Sequence, residues 1–187
     1  MAFLTELWLP IILSAVFVFI VSSVIHMATP MHKGDVRKLP KEDVVMDALR
    51  GSGVPPGAYM FPCCESMKDI GSPEMIEKRK RGPVGWLMVL PPGGCNMGTS
   101  LMCWFVFALV VGALSGYVGW HSLGAGAHYL TVFRITGTAA MLGYAVSHAP
   151  DSIWKGASWW TTTKFIFDGV LYGLVTAGTF GWLWPKA

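Results

Sequence analysis

Side chains of the types that bind metal ions occur in and beside the polar segment of this chain, in the sequences HMATPMH and MFPCCESM. The residues concerned are His26, His32, Met60, Cys63, Cys64 and Met67. Imidazole, thiolate and thioether groups together are typical ligands of copper(I). A site for copper or another transition metal is therefore one hypothesis for these residues. The alternative is that the Met and Cys side chains are soft packing residues, which is favoured unless His26, His32 or Cys95 lies within ligand distance of a thiol.

Two further histidines, His121 and His128, flank the short connection SLGAGA. Two imidazoles at the ends of adjacent helices can hold a metal ion, a haem or a chlorin. A pair without a third ligand is a weak signal, however. The alternative is that both residues are interfacial side chains at helix ends, so any bound cofactor stays unknown.

Three ionisable residues, Arg134, Asp168 and His148, fall in or at the ends of apolar stretches, where charge is costly and needs a partner. Arg134 and Asp168 differ in level by roughly 18 Å at about 1.5 Å per residue. They are therefore too far apart to pair. We predict that Asp168 pairs with His148, and that Arg134 extends toward Glu6 or the C-terminal carboxylate.

These residues are positioned by a strongly apolar chain. The 187 residues are 53% hydrophobic and only 13% charged, whereas soluble proteins contain about 25% charged residues. Four apolar stretches are each long enough to cross a hydrocarbon core of ~30 Å, and eight of the nine tryptophans lie near their ends. The predicted spans are residues 7–27, 101–120, 129–148 and 165–184. The fold class is an α-helical membrane protein with four transmembrane helices.

The distribution of basic residues predicts the orientation. Ten of the 14 Lys and Arg residues lie between the first two spans, at positions 33, 37, 38, 41, 50, 68, 78, 79, 80 and 81. The positive-inside rule therefore places residues 28–99 in the cytoplasm and both termini outside. We predict a multi-pass protein of a bacterial cytoplasmic membrane. The basic residues do not form a stripe with interleaved aromatics, so nucleic acid is not an expected partner.

The polar stretch also carries signals of a small fold. The segment KEDVVMDALR has acidic residues in its first turn and is followed by Gly51, and SPEMIEKRKR is followed by Gly82-Pro83; both predict helices. AYMF and VGWLMVL predict short strands. We therefore divide the chain into an anchor (1–27), a small α+β polar segment between helices 1 and 2 (28–99) and a three-helix transmembrane bundle (100–187).

Small residues recur every four positions in two of the predicted spans. This spacing allows helix backbones to approach closely in lipid. The residues are Ala108, Gly112 and Gly116 in the second span, and Gly169, Gly173, Ala177 and Gly181 in the fourth. The sequence leaves open whether these stripes pack within the chain or against a partner.

No complete catalytic motif is present, such as GxSxG, HExxH or a phosphate-binding loop in a fitting context. We therefore expect a non-catalytic accessory or structural subunit, or an assembly factor, of a larger membrane complex. Its partners would be membrane lipids and other membrane subunits. Metal handling through Met, Cys and His ligands is the first alternative, and a small transporter is the second.

Overall fold

The computed structural model describes residues 2–94 and 96–187, and it is mostly helical. The chain divides into two compact units. The helical unit contains the residues up to Asp35 and Met97–Ala187. The polar unit contains Val36–Asn96, apart from Cys95. Residues 28–35, which the sequence places in the polar segment, thus belong to the helical unit.

The helical unit is built on four main helices. They are α2 (Trp8–Ala28), α5 (Met97–Ser122), α6 (Tyr129–Tyr144) and α8 (Trp159–Leu183). Two shorter helices, α1 (Ala2–Glu6) and α7 (Ala149–Lys155), precede α2 and α8 respectively. Helix α2 packs against α5 and α8, and α6 also packs against α5 and α8. The four helices therefore enclose a common interior.

Three of these helices are long and apolar enough to cross a membrane: α2, α5 and α8. This agrees with a multi-pass membrane protein. The predicted third span, residues 129–148, instead contains the 16-residue helix α6, followed by a 3-10 turn at Val146–His148. At about 1.5 Å per residue, α6 alone is about 24 Å long and does not match the ~30 Å core.

Close approach between α6 and α8 depends on glycine. A Cβ atom built on Gly169 would lie 2.5 Å from the carbonyl carbon of Tyr144. One built on Gly173 would lie 2.4 Å from Met141 Cγ, and one on Gly181 would lie 2.7 Å from the Tyr129 ring. These members of the α8 stripe therefore lie at a helix contact within this chain.

The α5 stripe makes a similar contact. Ala108 is fully buried, and a Cβ on Gly112 would lie 3.1 Å from Ser14 Oγ of α2. A Cβ on Gly116 would lie 3.1 Å from the Phe180 ring of α8. On α8, Ala177 is also fully buried. Small residues thus lie where α5 contacts α2 and α8, and where α8 contacts α6.

The polar unit confirms the small α+β fold that the sequence predicts. Strands β1 (Gly57–Phe61) and β2 (Gly85–Val89) pair antiparallel, with Tyr59 opposite Leu87. The unit also contains α3 (Glu42–Gly51), a 3-10 helix at Met67–Gly71 and α4 (Pro73–Arg81). The Ser72 hydroxyl accepts a hydrogen bond from the Met75 amide (3.2 Å) and so caps α4.

Candidate metal centre

Asp168 is a buried carboxylate in the third turn of α8, and only 1% of its surface is exposed. The next residue, Gly169, lies against the backbone of Tyr144 and Ala145, where α6 ends. A carboxylate in such a place requires hydrogen-bonding or charged partners. The contact at Gly169 therefore fixes the level at which Asp168 meets its neighbours.

The partners come from the end of α2 and the turn that follows it. His26 lies in the last turn of α2, which ends at Ala28. The chain then turns, with the Lys33 amide bonded to the Pro30 carbonyl (3.0 Å) and the Asp35 amide to the His32 carbonyl (3.2 Å). This turn carries His32 back toward the helices.

His26, His32 and Asp168 form a compact cluster. Asp168 Oδ2 lies 2.8 Å from His32 Nε2 and 3.6 Å from His26 Nε2. One ligand atom from each residue lies within 4.8 Å of the other two. The two imidazole rings stack with centroids 4.3 Å apart. Both Nε2 atoms are therefore directed toward the same carboxylate oxygen.

Asp35 and Lys164 hold His32 through the ring nitrogen that does not face Asp168. Its Nδ1 lies 2.8 Å from Asp35 Oδ2, and Asp35 forms an ion pair with Lys164 of α8. The Lys164 ammonium also donates to the Met31 carbonyl (3.0 Å). The hydrogen bond from Lys164, followed by that from His32, holds the pKa of the Asp35 carboxyl below its usual value. Asp35 therefore fixes the ring orientation of His32 as an ionised acceptor.

Aromatic rings complete the surroundings. Phe165, three residues before Asp168 on α8, lies 4.9 Å from the His32 ring between centroids. The His148 ring stacks on Phe165 at 5.3 Å. His148 therefore lies near the cluster without belonging to it.

Two predicted pairings are wrong. The carboxylate of Asp168 pairs with the imidazole of His32 and lies 3.6 Å from that of His26, and it does not pair with His148. The 3-10 turn at Val146–His148 places that imidazole against Phe165 instead. Arg134 is exposed on α6, and it forms no ion pair with Glu6 or the terminal carboxylate within the part of the chain that the structure describes.

A cavity of about 590 Å³ opens beside the cluster, between α2, α5, α6 and α8. His26, Asp168 and His148 line it, and much of the rest of its wall is apolar, including Trp104 and Phe165. Asp168 and Tyr172 are among its lining residues, and within the described part of the chain their Oδ1 and Oη atoms are buried without a hydrogen-bond partner. The cluster thus adjoins a partly open and mostly apolar cavity.

The cysteines and methionines of MFPCCESM lie in the polar unit, whereas His26 and His32 lie in the helical unit. Cys63 Sγ contacts its neighbour's carbonyl (3.6 Å), and Cys64 Sγ accepts from the Arg79 guanidinium (3.8 Å). Met60 and Met67 are exposed. Cys95 lies outside the described residues. Metal binding by these thiols stays a prediction.

The other two histidines have local contacts. His121 lies in the last turn of α5, with its ring 4.5 Å from that of Tyr117. His128 caps α6, where its Nδ1 accepts a hydrogen bond from the Leu130 amide (3.3 Å). Cofactor binding by this pair stays a prediction.

Sequence reasoning missed two members of the site, Asp35 and Lys164. A weak signal was available for Asp35, because a carboxylate three residues after His32 can return to the imidazole across a turn. No local pattern marks Lys164, which lies 129 residues further along the chain.

Comparisons with protein-family models, curated proteins and solved structures found no match to this chain.

Proposed function

We propose that this protein is a membrane protein that binds a divalent transition metal ion through His26, His32 and Asp168. The observation that carries the proposal is the convergence of two imidazole nitrogens on one buried carboxylate oxygen, at 2.8 and 3.6 Å. Metal–ligand bonds of about 2.0–2.2 Å place neighbouring ligand atoms roughly 3 Å apart. Small side-chain shifts are therefore enough to admit an ion.

The donor set favours zinc(II) or iron(II) over copper(I). Two imidazoles and a carboxylate form three ligands of catalytic zinc sites and the facial set of non-haem iron(II) sites, both of which keep an open position. Copper(I) prefers the soft sulfur ligands that this cluster lacks. Metal handling through His26 and His32 is therefore kept from the sequence prediction, whereas Asp168 takes the place of the Cys and Met ligands and zinc or iron that of copper.

The surroundings support a cation. The site contains two carboxylates, Asp168 and Asp35, and one ammonium group, Lys164, which pairs with Asp35; one negative charge is therefore in excess when the imidazoles are neutral. Asp35 bonds the His32 nitrogen that does not face Asp168. Such a carboxylate behind a ligating histidine fixes its orientation and strengthens it as a ligand.

Equilibrium zinc binding tests the proposal. The full chain, purified in mild detergent and stripped with a chelator, would be titrated against a chromophoric zinc competitor. We expect one tight site per chain. His26→Ala and His32→Ala should each weaken it by roughly 100-fold, at least the loss typical of an outer-shell residue.

The matched control is His121→Ala, which removes an imidazole at the end of α5 outside the cluster. It should leave the tight site unchanged. Equal zinc affinity in the wild type and His32→Ala would contradict the proposal, provided that the variant keeps its helical circular dichroism. Loss of the site in His121→Ala alone would contradict it as well.

The membrane arrangement forms part of the proposal. We propose four crossings, with α6 and the 3-10 turn to His148 together making the third, in a bacterial cytoplasmic membrane. The excess of basic residues in 28–99 supports a cytoplasmic polar unit and external termini. The metal centre would then lie near the cytoplasmic face. Labelling of cysteines introduced at Lys80 and Lys186 in intact cells would test this orientation.

Association with another membrane protein is a second proposal, and Arg134 supports it. Its side chain is exposed on α6, where contact with lipid is costly unless it reaches the headgroups or an acidic partner. Blue-native electrophoresis of gently solubilised membranes would test this role as an accessory subunit. A larger species that Arg134→Ala dissociates supports it, and migration as a monomer contradicts it.

A further inference from the structure

The polar unit covers few of its own apolar side chains. Among its described residues, Met75 of α4 is the only hydrophobic side chain that is buried. Large apolar side chains are exposed on both helices, both strands and the 3-10 helix. A small unit has much surface for its volume, which limits its core, but apolar surface of this extent is typical of an interaction site. The polar unit therefore presents a surface that suits an apolar neighbour.

One face of the two-stranded sheet gathers exposed apolar side chains. Met60 lies opposite Trp86 and Ala58 lies opposite Met88, so both pairs project to the same side. Trp86 and Met88 are 50% and 68% exposed, whereas Leu87, which projects to the other side between them, is half-buried. We call this surface the sheet face, and its residues are Ala58, Met60, Trp86 and Met88.

The basic end of α4 comes shortly before the sheet face in the chain. Helix α4 carries four Lys and Arg residues in its last turn and only two Glu residues, so positive charge is in excess. Lys80 and Arg81 are exposed and form no ion pair within the described part of the chain. Trp86 follows Arg81 by five residues, at most about 18 Å of chain. Unpaired positive charge therefore lies close to the sheet face.

The polar unit is attached at both ends to helices that are long and apolar enough to cross a membrane. It follows α2 in the chain, and residues 90–96 join β2 to α5. At up to ~3.6 Å per residue, this connection can extend over at most about 30 Å. A bilayer crossed by α5 is therefore within reach of the sheet face.

We propose that the sheet face lies on the surface of a bilayer that contains anionic lipids. Trp86 and Met88 enter the boundary between headgroups and acyl chains, where apolar faces of interfacial segments are buried by about 5–10 Å and tryptophan is favoured. Lys80 and Arg81 lie among the anionic headgroups. Such a bilayer offers hydrocarbon to the sheet face and negative charge to the end of α4. The contact does not depend on the metal centre.

A spin label on the full chain tests this contact. All four cysteines would be replaced by serine, and a nitroxide would be attached after Met88→Cys. The protein would be placed in nanodiscs of phosphatidylcholine and phosphatidylglycerol. Oxygen concentrates in hydrocarbon, whereas a nickel chelate stays in water, so the two collision rates of the label distinguish lipid from water. We expect collisions with oxygen to exceed those with nickel at Met88→Cys.

Leu87→Cys is the matched control, because its side chain projects to the other side of the same strand. It should show no excess of oxygen collisions. Met60→Cys places a second label on the sheet face and should behave as Met88→Cys does, which keeps the test available if Met88→Cys does not fold. An excess of oxygen collisions at Leu87→Cys equal to that at Met88→Cys would overturn the proposal.

The charge of the lipid is tested in the same labelled protein. Lys80→Gln combined with Arg81→Gln should lower the ratio of bilayer-bound to free sheet face by roughly 30-fold, since each basic residue contributes about fivefold at an anionic surface. Nanodiscs of phosphatidylcholine alone should also lower that ratio. Equal oxygen excess with and without phosphatidylglycerol would overturn the proposed lipid.

Two further results would overturn the contact itself. Nickel collisions that exceed oxygen collisions at both Met88→Cys and Met60→Cys would show that the sheet face lies in water. Low rates for both reagents would show that protein covers it instead. Neither result bears on zinc binding, so this test is separate from that of the metal centre.

Discussion

Replacement of Gly169 by alanine should destabilise the helical unit strongly. The added Cβ would lie 2.5 Å from both the carbonyl carbon and oxygen of Tyr144 and 2.6 Å from Ala145 Cα. These are backbone atoms, which cannot rotate away as a side chain can. Helices α6 and α8 must therefore separate or shift along each other.

The magnitude follows from comparing Gly169→Ala with Gly178→Ala on the same helix. At Gly178 the nearest atom to an added Cβ is Tyr129 Oη at 3.8 Å, an ordinary contact. Both changes gain up to about 1 kcal/mol of helix propensity, but only Gly169→Ala incurs overpacking of about 1–3 kcal/mol or more. Gly169→Ala should therefore be less stable than Gly178→Ala by about 2 kcal/mol, or about 4–8 °C in Tm.

Thermal unfolding in detergent, followed by circular dichroism, measures the difference between these variants. Because Gly169 neighbours Asp168, Gly169→Ala should also weaken zinc binding, whereas Gly178→Ala should not. Equal melting temperatures for the two variants would refute the close contact between α6 and α8. The positioning of Asp168 would then need another explanation.

Three further changes test other parts of the account. Asp35→Asn should weaken zinc binding by about 10- to 100-fold through the orientation of His32, while Asp151→Asn, which alters an exposed ion pair on α7, should not change zinc affinity. Ser152→Ala should lower the free energy of unfolding by about 1 kcal/mol in a detergent melt, because Ser152 bonds Thr162 at 2.6 Å in a buried position. Ser72→Ala should reduce the stability of the polar unit by about 1 kcal/mol, measured by hydrogen exchange in α4, through loss of its cap.

The sequence predicted the local elements of the fold well. Helix α4 begins after Ser72 and ends before Gly82, and strand β2 ends before the prolines that follow Leu90, because capping and turn residues act over short distances. The 16-residue length of α6 was not predicted. Residues 129–148 are apolar enough for a span, and Gly143, one residue before α6 ends, is one of many glycines in the predicted spans and so did not stand out as a stop signal.

The site was predicted only in part. Sequence reasoning selected His26 and His32 as ligands and Asp168 as a residue in need of a partner, but it did not bring them together. Estimating depth from residue counts placed Asp168 level with His148, and the structure places both residues on the wall of one cavity. It could not include the turn after Pro30 that returns His32 to the helices, since that turn depends on tertiary contacts such as Lys164 with Asp35.

X-ray absorption at the zinc edge of the loaded full chain tests the central claim most directly, because it identifies the ligand atoms. We predict a shell of nitrogen and oxygen at about 2.0–2.1 Å, with the outer-shell pattern of two imidazoles from His26 and His32. Sulfur at about 2.3 Å would instead assign the ion to the cysteines. That result, or a protein that takes up no zinc, would contradict the metal centre proposed for the helical unit.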